Sequence, residues 1–303
     1  MINKNIDIVS ECILKGADSN KGMLFAAKEN NKPLMLTCLE KGANPNPAVD
    51  FCIRNNDMDF FTICLSDKYK GSRDNALKQC VKAQNIAFIN KALELGANSN
   101  AGLPEAIASK NVEIMEILFN KGADGSTPSL MVDAVNTSDI NIVKLMLSHG
   151  GDANNGTLRA VQIGHVEILN HLLTSGNGSN PELIATASSM GNNEIITILL
   201  NKGADANNGL LPAVNQNKIE TVKLLLQNGA NAKTKDILIE PSKKGQLELV
   251  QLLVENGANA TEGLMSAVQN NKPKVLEYLI DNKADISNKL LIIGAVNSNY
   301  TAI

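Results

Sequence analysis

The residues that could do chemistry in this chain of 303 are few, and the five cysteines come first: Cys12, Cys38, Cys52, Cys64 and Cys80. A thiolate is a nucleophile and a soft-metal ligand, and a close pair of thiols can form a disulfide. Three histidines, His149, His165 and His171, could carry protons or bind a metal. His165 and His171 stand six apart, so they do not share a helix face as an i, i+4 metal pair does. His149-Gly150-Gly151-Asp152 has the outward form of an oxyanion-hole loop, and Ser175-Gly176-Asn177-Gly178-Ser179 that of a phosphate loop. The second has no strand before it and no phosphate-loop lysine. Asp57 and Asp59 form a carboxylate pair. Nothing here assembles an acid, a base and a nucleophile in one cleft, so no catalytic residue, cofactor or metal site is expected.

What positions these residues is a repeat. Gly-Ala-Asp/Asn recurs at Gly16, Gly42, Gly96, Gly122, Gly203, Gly229 and Gly257, with worn copies at Lys68, Gly150, Gly176 and Lys283. The steps between neighbours are 26 to 28 residues. A fixed step of this size means a solenoid, whose units are too small to bury a core alone and must stack.

Each unit divides into two short helices. Around Gly209–Asn231, the residues Leu210, Leu211, Ala213 and Val214 mark an inner helix. Ile219, Val222, Leu224, Leu225 and Leu226 mark an outer one, closed by Gly229. Glycine there supplies the left-handed helix stop, and the Asp or Asn two residues on fixes the turn through its side-chain oxygen. Asn46-Pro47, Thr127-Pro128 and Asn180-Pro181 read as helix starts. The whole chain, residues 1–303, is expected to be one all-α solenoid of about eleven helix pairs. It begins on an outer helix (Ile6 to Leu14) and ends on an inner one (Leu290 to Asn297).

Strings such as Ile219-Glu220-Thr221-Val222-Lys223-Leu224-Leu225-Leu226-Gln227-Asn228-Gly229-Ala230-Asn231 resemble the second helix and turn of ankyrin repeats, and Gly164-His165-Val166-Glu167-Ile168-Leu169 resembles their inter-helix turn. An ankyrin repeat has about 33 residues, so each unit here lacks roughly five to seven. The loss falls between the Gly-Ala-Asp turn and the next inner helix, where the family carries its projecting β-hairpin. The Thr-Pro-Leu-His signature is reduced to Thr127-Pro128. Connections also alternate. Short ones carry Gly six residues after the turn (Gly22, Gly102, Gly156, Gly209, Gly263), and longer ones do not.

The register disposes of most of the chemistry. Cys12, Cys38 and Cys64 fall in an outer-helix column continued by Ala92, Leu118, Met146 and Leu172, and Cys52 and Cys80 fall in an inner-helix column otherwise of alanine. All five are expected to be buried as small core fillers. Stacked helices 8–10 Å apart exceed the roughly 7 Å Cα limit for a disulfide, and reduced thiols suit the cytosol. The His-Gly-Gly-Asp is the repeat turn with Ala replaced by Gly. His165 takes a helix-start position.

In the family this chain resembles, inner helices line a concave face, and that resemblance implies protein binding there. The row just before the small column holds Phe25, Phe51, Gln79, Glu105, Asp133, Arg159 and Glu240, whose mixed chemistry suits a solvent-facing groove. Phe25 and Phe51 stand out as an aromatic anchor pair. Two residues beyond the small column begin Lys28, Arg54, Lys82, Asn136, Gln162, Asn215-Gln216, Lys243-Lys244 and Gln269, rich in amides and cations.

A net charge of -3 supplies no global basic field for nucleic acid or anionic membrane. The alternative to protein binding is a nucleic-acid or nucleotide-binding solenoid using the basic inner-helix positions, with Lys233 and Lys235 adding to Lys243 and Lys244. The start of the chain has no signal-peptide core, and Leu290 to Val296 is too short to span a bilayer, so a cytoplasmic protein is expected. The apolar C-terminal helix, with no outer helix after it, suggests a homodimer through the last repeat. The reading is a non-catalytic scaffold, inhibitor or interaction module. Asn- and Lys-rich usage fits an AT-rich genome, and by analogy with ankyrin-like arrays of intracellular bacteria and large viruses an effector or immunity role, delivered into a host cell, belongs with these expectations.

Overall fold

A computed structural model describes residues 2–287. The expected helix at Leu290 to Asn297, and with it the dimer contact, lies outside the described residues. The chain forms two compact units, Met1–Asp152 and Ala153–Ile303. In the first unit the helices are α1 (Ile2–Leu14), α2 (Ser19–Lys28), α3 (Lys32–Glu40), α4 (Asn46–Arg54), α5 (Met58–Cys64), α6 (Arg73–Lys82), α7 (Ile86–Glu94), α8 (Leu103–Ala108), α9 (Val112–Asn120), α10 (Pro128–Asn136) and α11 (Ile140–Ser148). A 3-10 turn, Ser99–Gly102, leads into α8. The second unit holds α12 (Ala153–Ile163), α13 (Val166–Leu172), α14 (Pro181–Met190), α15 (Asn193–Asn201), α16 (Asn207–Asn215), α17 (Ile219–Gln227), α18 (Ile239–Lys244), α19 (Leu247–Glu255), α20 (Thr261–Gln269) and α21 (Pro273–Asp281). Odd-numbered helices are outer and even-numbered ones inner. Among the described residues there is no strand.

The core of each unit is layered by the repeat. The small inner column (Ala26, Cys52, Cys80, Ala106, Ala134, Ala160, Ala187, Ala213, Ala267) is fully buried. So are the outer-helix positions Cys38, Cys64, Ala92, Leu118, Met146, Leu172, Leu199, Leu225, Leu253 and Leu279. Small side chains at the inner column let neighbouring helices approach closely, while Leu and Ile of the outer helices fill the space between pairs. Cys12 departs from its column: it is exposed.

Most turn glycines take the left-handed conformation expected, as at Gly42 (φ +84) and Gly203 (φ +89). Lys283 does so without being glycine (φ 65). Two worn copies differ. After α5 the left-handed residue is Lys70 rather than Lys68, and after α13 the chain turns through Gly176 without positive φ, its N–H donating to Leu172 O at 2.8 Å.

The missing hairpin is replaced by a ladder of side-chain carbonyls. The turn Asp or Asn accepts the N–H two residues on: Asn44 Oδ1 from Asn46, Asn98 from Asn100, Asp205 from Asn207, Asn231 from Lys233. The next polar side chain then accepts the backbone N–H of the following turn. Asn20 accepts from Asn44 (2.8 Å), Asp74 from Asn98 (2.7 Å), Asn100 from Asp124 (2.6 Å), Asn154 from Asn177 (2.7 Å) and Asn207 from Asn231 (2.8 Å). Only an acceptor oxygen is needed, so Asp and Asn interchange. Asn46, expected to cap α4, is one of these rungs and accepts from Ser72 N–H, while the cap position is Pro45. Thr127 stands at a helix start without a side-chain bond, whereas Asn180 caps α14 as expected.

Candidate interaction surface

The chemical candidates resolve into structure. Among the described residues no group of three or more His, Cys, Asp or Glu could hold a metal. His165 caps α13, its Nδ1 accepting Ile168 N–H at 3.4 Å. His149 closes α11, stacked on Phe119 with ring centroids 4.0 Å apart and Nδ1 3.0 Å from Leu145 O. All five thiols are free. Burial pushes the Cys38 thiol up and the Cys80 thiol to about 12, and a hydrogen bond with Cys64, reinforced by burial, raises Cys52. Such thiols stay protonated and unreactive at neutral pH. Cys52 and Cys64 meet within one helix pair, α4 and α5, and not between stacked repeats.

The inner helices present three rows to solvent. In the row two residues beyond the small column, Lys28, Arg54, Lys82, Asn136, Gln162, Lys243 and Gln269 are exposed, with Gln216 and Lys244 beside them, and Asn215 is half-buried. The row before the small column is less open than expected. Phe25, Gln79, Glu105, Arg159 and Glu240 are half-buried, and Asp133 is exposed.

Phe51 corrects the aromatic-anchor expectation. It is only 6% exposed and packs edge-to-face on Phe60, centroids 6.1 Å apart. A large ring gains more by covering the α4–α5 layer than by standing in water. Phe25 therefore has no exposed aromatic partner at Phe51.

A third row, two residues before the small column, was not singled out by sequence reasoning. In the second unit it is apolar throughout: Leu158, Ala185, Leu211, Ile239 and Met265. Leu211 is 38% exposed although its spacing reads as core, and Leu24 in the first unit is 60% exposed. A signal did exist. In the first unit the same row holds Asp50, Lys78 and Pro104, all exposed, which marks the row as solvent-facing and makes leucine there anomalous.

Two shallow grooves lie on this face of the first unit. One, of about 480 Å³, runs from Leu24 and Lys28 on α2 past Pro47, Asp50 and Arg54 on α4 to Gln79 on α6. The other, of about 380 Å³, lies between Pro104 and Ala108 near α8 and Asp133 and Asn136 on α10. Three cations around them, Arg54, Lys82 and Lys110, have acid or carbonyl neighbours. Arg54 Nε is 2.9 Å from Asp50, Lys82 3.8 Å from Glu105, and Lys110 Nζ donates to Thr137 O at 2.6 Å. In the second unit Lys243 and Lys244 each stand 3.5 Å from Glu240. Gln79 Oε1 and Glu105 Oε2, on adjacent inner helices, are buried and accept no hydrogen bond.

Comparison with known proteins bears on what such a face is. Residues 157–236 and 210–290 match the family model of ankyrin repeats in three copies. The first unit carries the same alternation of inner and outer helices and the same turns. Among solved structures, the human ASB11 ankyrin repeat domain aligns at 18% identity over 61% of this chain and 85% of its own, with a TM-score of 0.40. No curated protein matches the chain. Ankyrin repeats are generally protein–protein interaction modules. Among the described residues no helix is long and apolar enough to cross a membrane.

Proposed function

We propose that this chain is a non-catalytic protein-interaction module that holds a partner protein on the inner-helix faces of its ankyrin repeats, as a scaffold, inhibitor or effector-type binder. The observation that carries this reading is the apolar row on the inner face of the second unit, opened to solvent at Leu211 and flanked by Gln162, Asn215 and Gln269. Apolar side chains held open between hydrogen-bonding amides are the usual make-up of an interface core and its rim. In the first unit Leu24 supplies an equivalent apolar point in its groove. The nucleic-acid reading is the weaker one, because Arg54, Lys82, Lys243 and Lys244 each have a carboxylate neighbour and form no unbroken positive row. Buried, protonated thiols suit a reducing cytoplasm.

The test is affinity capture from native host cells with the wild type, Leu211→Glu, Leu24→Glu and, as an outer-helix control, Glu194→Lys. A partner retained by the wild type and control but lost by either leucine variant at unchanged melting temperature supports the proposal. Equal recovery by all four, or loss that tracks a fall in melting temperature, removes it. Capture that vanishes after nuclease treatment would favour the nucleic-acid alternative.

A further inference from the structure

The loop Ser175 to Ser179 is not a phosphate site, but it brings together the parts of a different reaction. The chain contains five Asn-Gly pairs, beginning at Asn155, Asn177, Asn208, Asn228 and Asn256. Such pairs can close on themselves: the glycine nitrogen attacks the asparagine Cγ, because no side chain hinders its approach. What limits the reaction in a folded chain is whether that nitrogen is free and whether the amide carbonyl is activated.

Four of the pairs are blocked. Asn155 and Asn208 lie within α12 and α16. The Gly209 N–H donates to Ala206 O at 3.1 Å, Gly229 N–H to Leu226 O at 3.1 Å and Gly257 N–H to Val254 O at 2.9 Å. Asn228 and Asn256 also cap helices with near-helical backbones (φ -99, ψ 22 and φ -96, ψ 13). At Asn177 the situation is reversed. Its side chain is exposed while Gly178 is buried beside Lys202 and Leu173, and the Gly178 N–H donates no hydrogen bond to any described residue. Its side-chain Oδ1 accepts two hydrogen bonds, from Ser179 N–H at 3.0 Å and from Ser179 Oγ at 2.7 Å. Both donors polarise the carbonyl and stabilise the negative charge that grows on Oδ1 as the nitrogen adds, as an oxyanion hole does.

We infer that Asn177 is a site of spontaneous deamidation, with the Gly178 nitrogen as nucleophile and the Ser179 N–H and hydroxyl as its oxyanion donors. The Gly178 N–Cγ bond forms as the amide proton is lost to water, and the Cγ–Nδ2 bond breaks to release ammonia. Water then opens the cyclic imide to aspartate or to isoaspartate. The same pair of donors surrounds the turn carboxylates Asp124 and Asp285, where the Ser126 and Ser287 N–H groups and then their hydroxyls hold each carboxyl below the usual range. The fold therefore accepts the aspartate product in this turn. Isoaspartate is different: it adds a methylene to the main chain at the rung where Asn177 N–H meets Asn154 Oδ1, 2.7 Å away, and that rung is lost.

The experiment incubates the full chain at physiological temperature and mildly alkaline pH, and follows each Asn-Gly pair by peptide mass mapping and isoaspartyl methyltransferase labelling. Asn177 is expected to convert first, faster than each of the other four pairs by about tenfold or more, a barrier difference of about 1.4 kcal/mol. Gly178→Ala should nearly stop it. Because a β-carbon there would stand 2.7 Å from Lys202 Cβ, the exposed Ser179→Ala is the second variant, and it should slow Asn177 several-fold while the other pairs keep their rates. Conversion led by any other pair, or a Ser179→Ala chain that converts at the wild-type rate, overturns the inference.

Discussion

Ser188 Oγ on α14 faces the bare Cα of Gly209 on α16, 2.4 Å from where a β-carbon on that glycine would stand. The hydroxyl is fully buried and accepts no conventional hydrogen bond. The glycine hydrogen that replaces the β-carbon points at it, a weak C–H···O contact that substitutes in part for the missing donor. The same arrangement recurs one double repeat later, with Ser242 facing the Gly263 site at 2.4 Å. At these two short connections the Gly six residues after the turn leaves room for a buried serine hydroxyl of the preceding inner helix.

Gly209→Ala should therefore destabilise the second unit by about 1–3 kcal/mol, as overpacking does. Ser188→Ala removes the atom that clashes, so Gly209→Ala should cost less in that background. Leu225, whose methyls lie 3.2 Å from the same point, keeps the rescue partial. Denaturant midpoints of the four chains form the double-mutant cycle. Equal cost in both backgrounds would show that the close approach is not what matters.

The ladder predicts a contrast at Asn46, whose Oδ1 accepts Ser72 N–H at 3.3 Å. Asn46→Asp keeps the acceptor and adds a negative charge to the first turn of α4, where the helix dipole favours it. Its melting temperature should match or slightly exceed the wild type. Asn46→Ala removes the rung and should cost about 0.5–1 kcal/mol, the modest value of a solvent-exposed bond that water can replace. Identical melting of all three chains would deny the rung any energetic role.

How far residues alone could go is clear from these positions. The Gly-Ala-Asp spacing placed the helix pairs because a left-handed stop and a turn acceptor are local requirements, written in single residue types. Ala and Cys at the small column are similarly direct, since each must fit between two helices. Phe51 and Leu211 were misjudged for the opposite reason. Whether an apolar residue at a half-open row lies against its own layer depends on how it packs on the neighbouring helix, as Phe51 does on Phe60 of α5. Cys12 shows the same limit: its column reads as buried, yet it is exposed. The ladder stayed hidden because its partners lie one repeat apart, a turn N–H at one end and an ordinary polar residue at a helix start at the other.

His165 is a cap that could be better. Its Nδ1 accepts Ile168 N–H at 3.4 Å, while Asn111 and Asn192 make the equivalent bond at 3.1 Å with a shorter side chain. Asparagine ranks among the best N-cap residues. His165→Asn should stabilise the second unit by about 0.5–1 kcal/mol, read as a raised denaturant midpoint with an unchanged slope. An unchanged or lowered midpoint would mean that the ring packs in a way its hydrogen bond does not reveal.

Asp57 makes the first unit's stability depend on acid. It caps α5 through Phe60 N–H at 2.9 Å and pairs with Lys32 of the preceding repeat, whose ammonium also lies 5.2 Å from the Phe60 ring centroid. Burial alone would raise its carboxyl, but the Lys32 ammonium and the Phe60 N–H outweigh burial and hold it below the usual range. A carboxyl depressed in the folded state stabilises the fold above its unfolded value of about 3.9 and loses that contribution as pH falls through the folded value. Lys32 is 38% exposed, so solvent screening keeps the pair's share below about 1 kcal/mol. Asp57→Asn retains the cap and loses only the ion pair. Wild type should be the more stable by urea denaturation at neutral pH, and the two chains should converge in acid below the folded value. A gap that persists unchanged in acid would place the difference in packing rather than in charge.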